Sequence, residues 1–125
     1  MSELKILLRD ERLNYQPGET IEGVAGWRLD QPPRSVELRL FWFTRGKGTE
    51  DVAVVNQLNF ASPQSEEGRT FSFTLPPEPW SFSGQLISLI WALELVAQPG
   101  NHSTRIEFAM SPTGREIQLH AHASA

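Results

Sequence analysis

Three histidines and a scatter of hydroxyl and acidic side chains are the only groups here with obvious reactive or ligating chemistry, because the sequence contains no cysteine. His120 and His122 alternate with Leu119 and Ala121. On a strand, successive side chains point to opposite faces, so both imidazoles project from one face, a spacing that chelates a metal. No third ligand stands nearby in sequence, so the pair reads as a solvated chain end, and neither metal nor cofactor is expected. His102, beside Asn101, reads as a surface residue in a hairpin turn. Gly46-Lys47-Gly48 lacks the length and the following helix of a phosphate-binding loop. Ser, His and Asp fall at no spacing that assembles a nucleophile, a base and an orienting group. The acidic stretch Ser65-Glu66-Glu67 reads as a solvated loop. The chain is therefore expected not to be an enzyme.

Binding is the other chemistry on offer, and it depends on how the apolar residues are positioned. Apolar alternation at period two recurs along the chain between clusters of turn residues, the pattern of an all-β antiparallel sandwich in which each sheet turns one face to the core. Ile21, Gly23, Ala25, Trp27 and Leu29 share one face of a strand, and Val36, Leu38, Leu40 and Trp42 one face of the next. A valine-rich strand follows at 51–57, after the turn Arg45-Gly46-Lys47-Gly48. Phe71, Phe73 and Leu75 alternate after a polar loop at 62–68, and Pro76, Pro77 and Pro79 end that strand because proline cannot donate to a ladder. The longest apolar stretch, 86–97, reads as a central strand with Ile87, Leu89, Trp91, Leu93 and Leu95 inward. Its hairpin partner spans 104–110, and a last short strand is expected at 116–120.

That assignment leaves a remainder. By parity Phe41, Phe43, Leu86, Ile90 and Val96 fall on the face opposite the inward sets, and they need cover. They form an interaction surface, or another segment or subunit overlies them, or a bulge turns some of them inward. Trp80, in the Pro-rich turn, is a candidate anchor, since tryptophans buried at interfaces often dominate binding.

Composition sets the outer bounds. At 125 residues and 39% apolar content the chain is expected to form one domain over 1–125, large enough to bury a core without staples. Net charge is −4 with both signs interspersed, which is not the basic stripe of a nucleic-acid binder. The apolar run near the N-terminus is too short for a signal peptide's core, and none is long enough to span a bilayer. A cytoplasmic protein with no membrane span that does not bind nucleic acid is the expectation.

Two motifs sharpen this reading. Tyr15-x-Pro17-Gly18-Glu19-x-Ile21-x-Gly23 is followed about fifty residues later by Phe71-x-Phe73-x-Leu75-Pro76, then by Pro79-x-Ser81-Phe82-x-Gly84 leading into Ile90-Trp91-x-Leu93. In order and spacing this resembles the arrestin-like domain family, over roughly residues 4–110, with Trp91 where that family usually carries tyrosine. The resemblance implies an immunoglobulin-like β-sandwich of about seven to eight strands, non-enzymatic, serving as an adaptor or scaffold. Arrestin relatives generally join two such sandwiches, and many adaptors of the family carry proline-tyrosine motifs in tails. Neither feature is found here, so mechanisms that depend on them do not transfer.

The resulting expectation is a protein-binding domain whose contacts lie among Trp80, Phe41, Phe43, Leu86 and Ile90. The first alternative is a self-assembling structural protein, a homo-oligomer formed through an outer sheet face or edge. The lesser alternative is a small-molecule or metal-binding domain resting on His120 and His122.

Overall fold

A computed structural model describes residues 2–48, 50–84 and 86–118. His120, His122 and the last two residues of the strand expected at 116–120 lie outside the described residues. Two sheets face one another. The smaller has β1 (Glu3–Leu8), β3 (Thr20–Arg28) and β6 (Glu66–Thr74) in the order β1-β3-β6, antiparallel throughout. The larger is built on β8 (Ile87–Gln98), which pairs along one side with β4 (Ser35–Gly46), itself paired with β5 (Val52–Asn59). Along its other side β8 meets two strands in succession: β7 (Phe82–Ser83) near its start and β9 (His102–Met110) over the rest. The short strands β2 (Asn14–Tyr15) and β10 (Ile117–Gln118) extend β9 and β7 respectively.

The expected all-β sandwich is what the structure contains, with inward faces as the alternation assigned them. Ile21, Ala25, Trp27, Leu38, Leu40, Phe71, Phe73, Leu75, Leu89, Trp91, Leu93 and Leu95 form one buried cluster between the sheets. Burying such side chains stabilises by roughly 1.5–3 kcal/mol each. The indoles that enter it are not left with unpaired N–H groups: Trp27 Nε1 donates to the Gln64 carbonyl at 2.7 Å and Trp91 Nε1 to the Pro79 carbonyl at 2.8 Å.

Three details depart from the expectation. The pairings of β2 with β9 and of β7 with β10 are parallel, two residues each, too short to leave a period in the sequence. Glu66, Glu67 and Gly68 are not loop but the start of β6, opposite Arg28, Trp27 and Gly26. Arg28 donates to Glu66 across this pair, so the acidic stretch supplies a cross-strand partner to a basic residue. Leu86 precedes β8 at a bend and has no strand parity at all.

Both motif turns are tied to distant strands. Gly18 N–H donates to the Leu75 carbonyl at 3.1 Å and Leu75 N–H to the Glu19 carbonyl at 2.8 Å, which clips the first turn onto the end of β6. Gly18 takes φ +82°, open to glycine without steric cost. Tyr15 is buried edge-on against Phe108 at 5.6 Å, its hydroxyl donating to the Arg12 carbonyl at 3.0 Å. In the second turn Ser81 N–H donates to the Met110 carbonyl at 2.7 Å, and Met110 N–H donates back to Ser81 Oγ at 2.9 Å.

Candidate interaction surface

The outer face of the larger sheet carries a second, separate apolar cluster. Phe41 and Phe43 are alternate residues of β4, so their rings rise from the same side and stack with centroids 5.9 Å apart, 29° from parallel. Register places Ala92 and Ile90 of β8 directly opposite them on one flank, and Val54 and Val52 of β5 on the other. Ala92 is fully buried and Ile90 packs against the cluster. Among the described residues no sheet covers these rings, yet Phe41 is only 4% exposed and Phe43 9%.

Arginine supplies the cover. The Arg105 guanidinium, from β9, lies 5.0 Å from the Phe41 ring centre and 5.1 Å from that of Phe43, and Arg45 lies 5.3 Å from Phe43. Carboxylates hold both in place: Arg105 faces Glu94 at 3.5 Å, and Arg45 donates to Glu107 at 3.0 Å. Arg39 pairs with Glu37 and approaches Glu94 at 3.8 Å. Cation–π contacts and exposed ion pairs of this kind contribute about 0.5–1 kcal/mol each, so the cover is easily displaced. Phe41, Phe43, Val52, Val54, Arg105 and Glu50, with other side chains, line a groove of about 430 Å³ on this face.

Of the residues expected to bind, the structure brings Phe41, Phe43 and Ile90 together. Val96, on the same face, is buried beside Glu37 and Ser103. Trp80 and Leu86 stand outside the groove. Trp80 is 44% exposed on its turn, its Nε1 donating to the Pro77 carbonyl at 2.8 Å, and Leu86 is 65% exposed. Its carbonyl accepts from Lys47 N–H at 2.9 Å, and Gly46 opposite has no room for a Cβ because that carbonyl occupies the space. Arg105, Arg45, Val52 and Val54 were not singled out by sequence. Their parity was readable, whereas the cross-strand register that sets them beside the rings was not.

Little reactive chemistry is available elsewhere. The buried hydroxyls of Ser81 and Ser111 are engaged with backbone groups, and Thr44 Oγ1 accepts from Asp51 N–H at 2.8 Å. Among the described residues no buried side-chain polar atom lacks a partner, and no three His, Asp or Glu residues cluster as a metal site would need. No helix among them is long and apolar enough to cross a membrane. Perturbed ionisation lies outside this groove. Arg12, and then Gln16 N–H, hold the Glu19 carboxyl below the ordinary range, Arg69 and Gln64 N–H do the same for Glu67, and burial pushes the Tyr15 phenol up.

No protein-family model matches the chain, and no curated protein matches it. Solved structures do. Spo0M, a sporulation control protein from Bacillus subtilis, superposes with a TM-score of 0.62 at 18% identity, over 88% of this chain and 49% of that one. A β-glucosidase from Listeria innocua aligns at 14% identity over 94% of this chain and 16% of its own, with a TM-score of 0.49, too slight a likeness to bear on function. The chain spans about half the length of Spo0M, and what the two share is the fold.

Proposed function

We propose that this single sandwich is a non-enzymatic protein-binding module of the arrestin-like kind, and that its working surface is the arginine-covered aromatic groove on the outer face of the larger sheet. One observation carries the reading: a stacked phenylalanine pair lies on a sheet face where, among the described residues, its cover is side chains held by weak, exposed contacts. A partner that brings an apolar side chain to the rings and a carboxylate to Arg105 replaces those contacts with its own, burying Phe41 and Phe43 fully. The order of the two turn motifs supports the arrestin-like assignment, and a sandwich shared with a sporulation control protein is in keeping with a regulatory, protein-binding role.

The test is comparative capture from the native cell. A partner recovered by the unaltered chain and by Trp80→Ala, and lost by Phe43→Ala and by Arg105→Glu, supports the groove. Loss with Trp80→Ala and retention with the other two moves the site to the Pro-rich turn and sinks this reading.

A further inference from the structure

Among the described residues the larger sheet ends at β5, and the free edge of that strand has a pattern of its own. Thr44 N–H donates to the Asp51 carbonyl at 2.9 Å and Phe60 N–H to the Val36 carbonyl at 3.0 Å, whereas Lys47 N–H donates to Leu86 on the opposite side. Even-numbered residues of β4 therefore bond β5 and odd-numbered ones bond β8. Residues facing each other in an antiparallel pair alternate between bonded and unbonded, so the β5 residues opposite Glu37, Arg39, Phe41 and Phe43 turn their N–H and C=O groups away from β4. Those residues are Asn59, Gln57, Val54 and Val52. Gln57 N–H does point away, and Asn56 Oδ1 accepts from it at 2.8 Å.

These outward residues are not evenly spaced. A register shift opposite Leu40 and Phe41 skips Val55, so the steps run two, three, two along 52, 54, 57 and 59. A regular strand offers partners every second residue and matches only half of that edge. A strand with the same irregularity, running antiparallel, matches all of it: Val52 faces Asn59 and Val54 faces Gln57, and the converse holds across the dyad. The strand that carries that irregularity is β5 itself. Its sequence, Val52 to Asn59, has no charged residue and no proline, so two copies meet without like charges opposed, where natural edges are usually blunted by charge or proline. The long edges of the smaller sheet are charged, with Glu3 and Lys5 on β1 and Glu66, Glu67 and Arg69 on β6. On the larger sheet's other side the long edge is β9, charged at Arg105 and Glu107, and the short strands β2 and β10 offer two residues each.

We infer that β5 is a self-recognition edge: two copies of this chain join β5 to β5, antiparallel and in this register, about a two-fold axis normal to the sheet. An antiparallel join keeps like faces on one side, so Val52 and Val54 of each copy lie beside Asn59 and Gln57 of the other on the face that carries the two Phe41–Phe43 grooves, and both grooves stay open.

Light scattering across a concentration series, with the purified chain alone, shows the dimer directly. Val54→Pro removes an outward donor without touching the β4 ladder. Because symmetry removes that donor twice, dimerisation weakens about tenfold or more. Val54→Lys has the same direction, and the circular-dichroism melt of each variant shows whether the sandwich is retained. With no native cysteine to interfere, chains carrying Val54→Cys, mixed with chains carrying Gln57→Cys, form a disulfide between unlike chains in preference to like ones. A monomer at every concentration, a dimer unaffected by both Val54 variants, or preferential Val54-to-Val54 cross-linking overturns the proposal. No other protein enters the test, so its failure leaves the groove reading standing.

Discussion

The chain contains two Phe-x-Phe pairs, and only their surroundings differ. Phe71 and Phe73 of β6 lie 6.2 Å apart inside the sandwich, and the residue between them, Ser72, is exposed. Phe41 and Phe43 of β4 lie 5.9 Å apart on the outer face, and the residue between them, Trp42, packs inward against the main core. An inner pair sealed by a facing sheet is there to hold the fold. An outer pair sealed by Arg105 and Arg45 adds little that the fold requires, since β4 already buries Val36, Leu38 and Leu40 on its other face. Identical residues at identical spacing thus serve packing in one strand and recognition in the other, and the register of neighbouring strands decides which.

The strongest way to break this contrast is to truncate each pair. Phe73→Ala leaves a cavity in a site that is 1% exposed and is expected to cost about 3–5 kcal/mol, read as a lower urea midpoint. Phe43→Ala is expected to cost about 1–2 kcal/mol in the same measurement, because its neighbours on the outer face relax into solvent. Equal losses would erase the distinction between the pairs. Arg105→Ala sharpens it further. Stability falls by only about 0.5–1 kcal/mol, while binding of a dye specific for exposed apolar surface rises, a signal that Arg69→Ala, next to the inner pair, does not give.

The smallest effect is electrostatic and belongs to the inner side. Glu19 is held below its ordinary pKa by Arg12 and Gln16 N–H, at the turn that seats Tyr15 on Phe108. A depressed carboxyl contributes stability that is present above the unfolded value of about 4.3 and is lost as pH falls through the folded value. Glu19→Gln is expected to flatten the acid limb of a melting-temperature-against-pH curve slightly. An unchanged limb would show that the turn contributes nothing to the inner core.

The strands that alternate over many residues were legible because one face of each is buried. β3, β6 and β8 show their inward sets without ambiguity, and Phe41, Phe43 and Ile90 emerge as the residue of that sorting. β2, β7 and β10 were not legible, since two residues have no period. Glu66 to Gly68 read as loop because charge and glycine mimic a turn, and only the pairing with Arg28 reveals a strand. Leu86 was misassigned by extending parity past the end of β8. The arginine cover was hidden for a different reason: Arg105 and Phe41 are sixty-four positions apart, and what joins them is the β4–β8–β9 register, a property of the assembled sheet.

The pairing of β2 with β9 sets Asn14 against Ala109 and Tyr15 against Met110, which makes the site around Tyr15 one of the last to be completed. During synthesis β4 and β5 emerge before β6, and all of these before β8, so the smaller sheet is complete while the larger still lacks its central strand. Contacts of such long sequence separation form slowly, typically on millisecond-to-second scales for sandwiches. Until β9 leaves the ribosome Tyr15 lacks Phe108, the ring it packs against, and the nascent chain presents part of its future core to solvent. The sandwich closes late and all together, which makes this half-built chain the stage most in need of a chaperone.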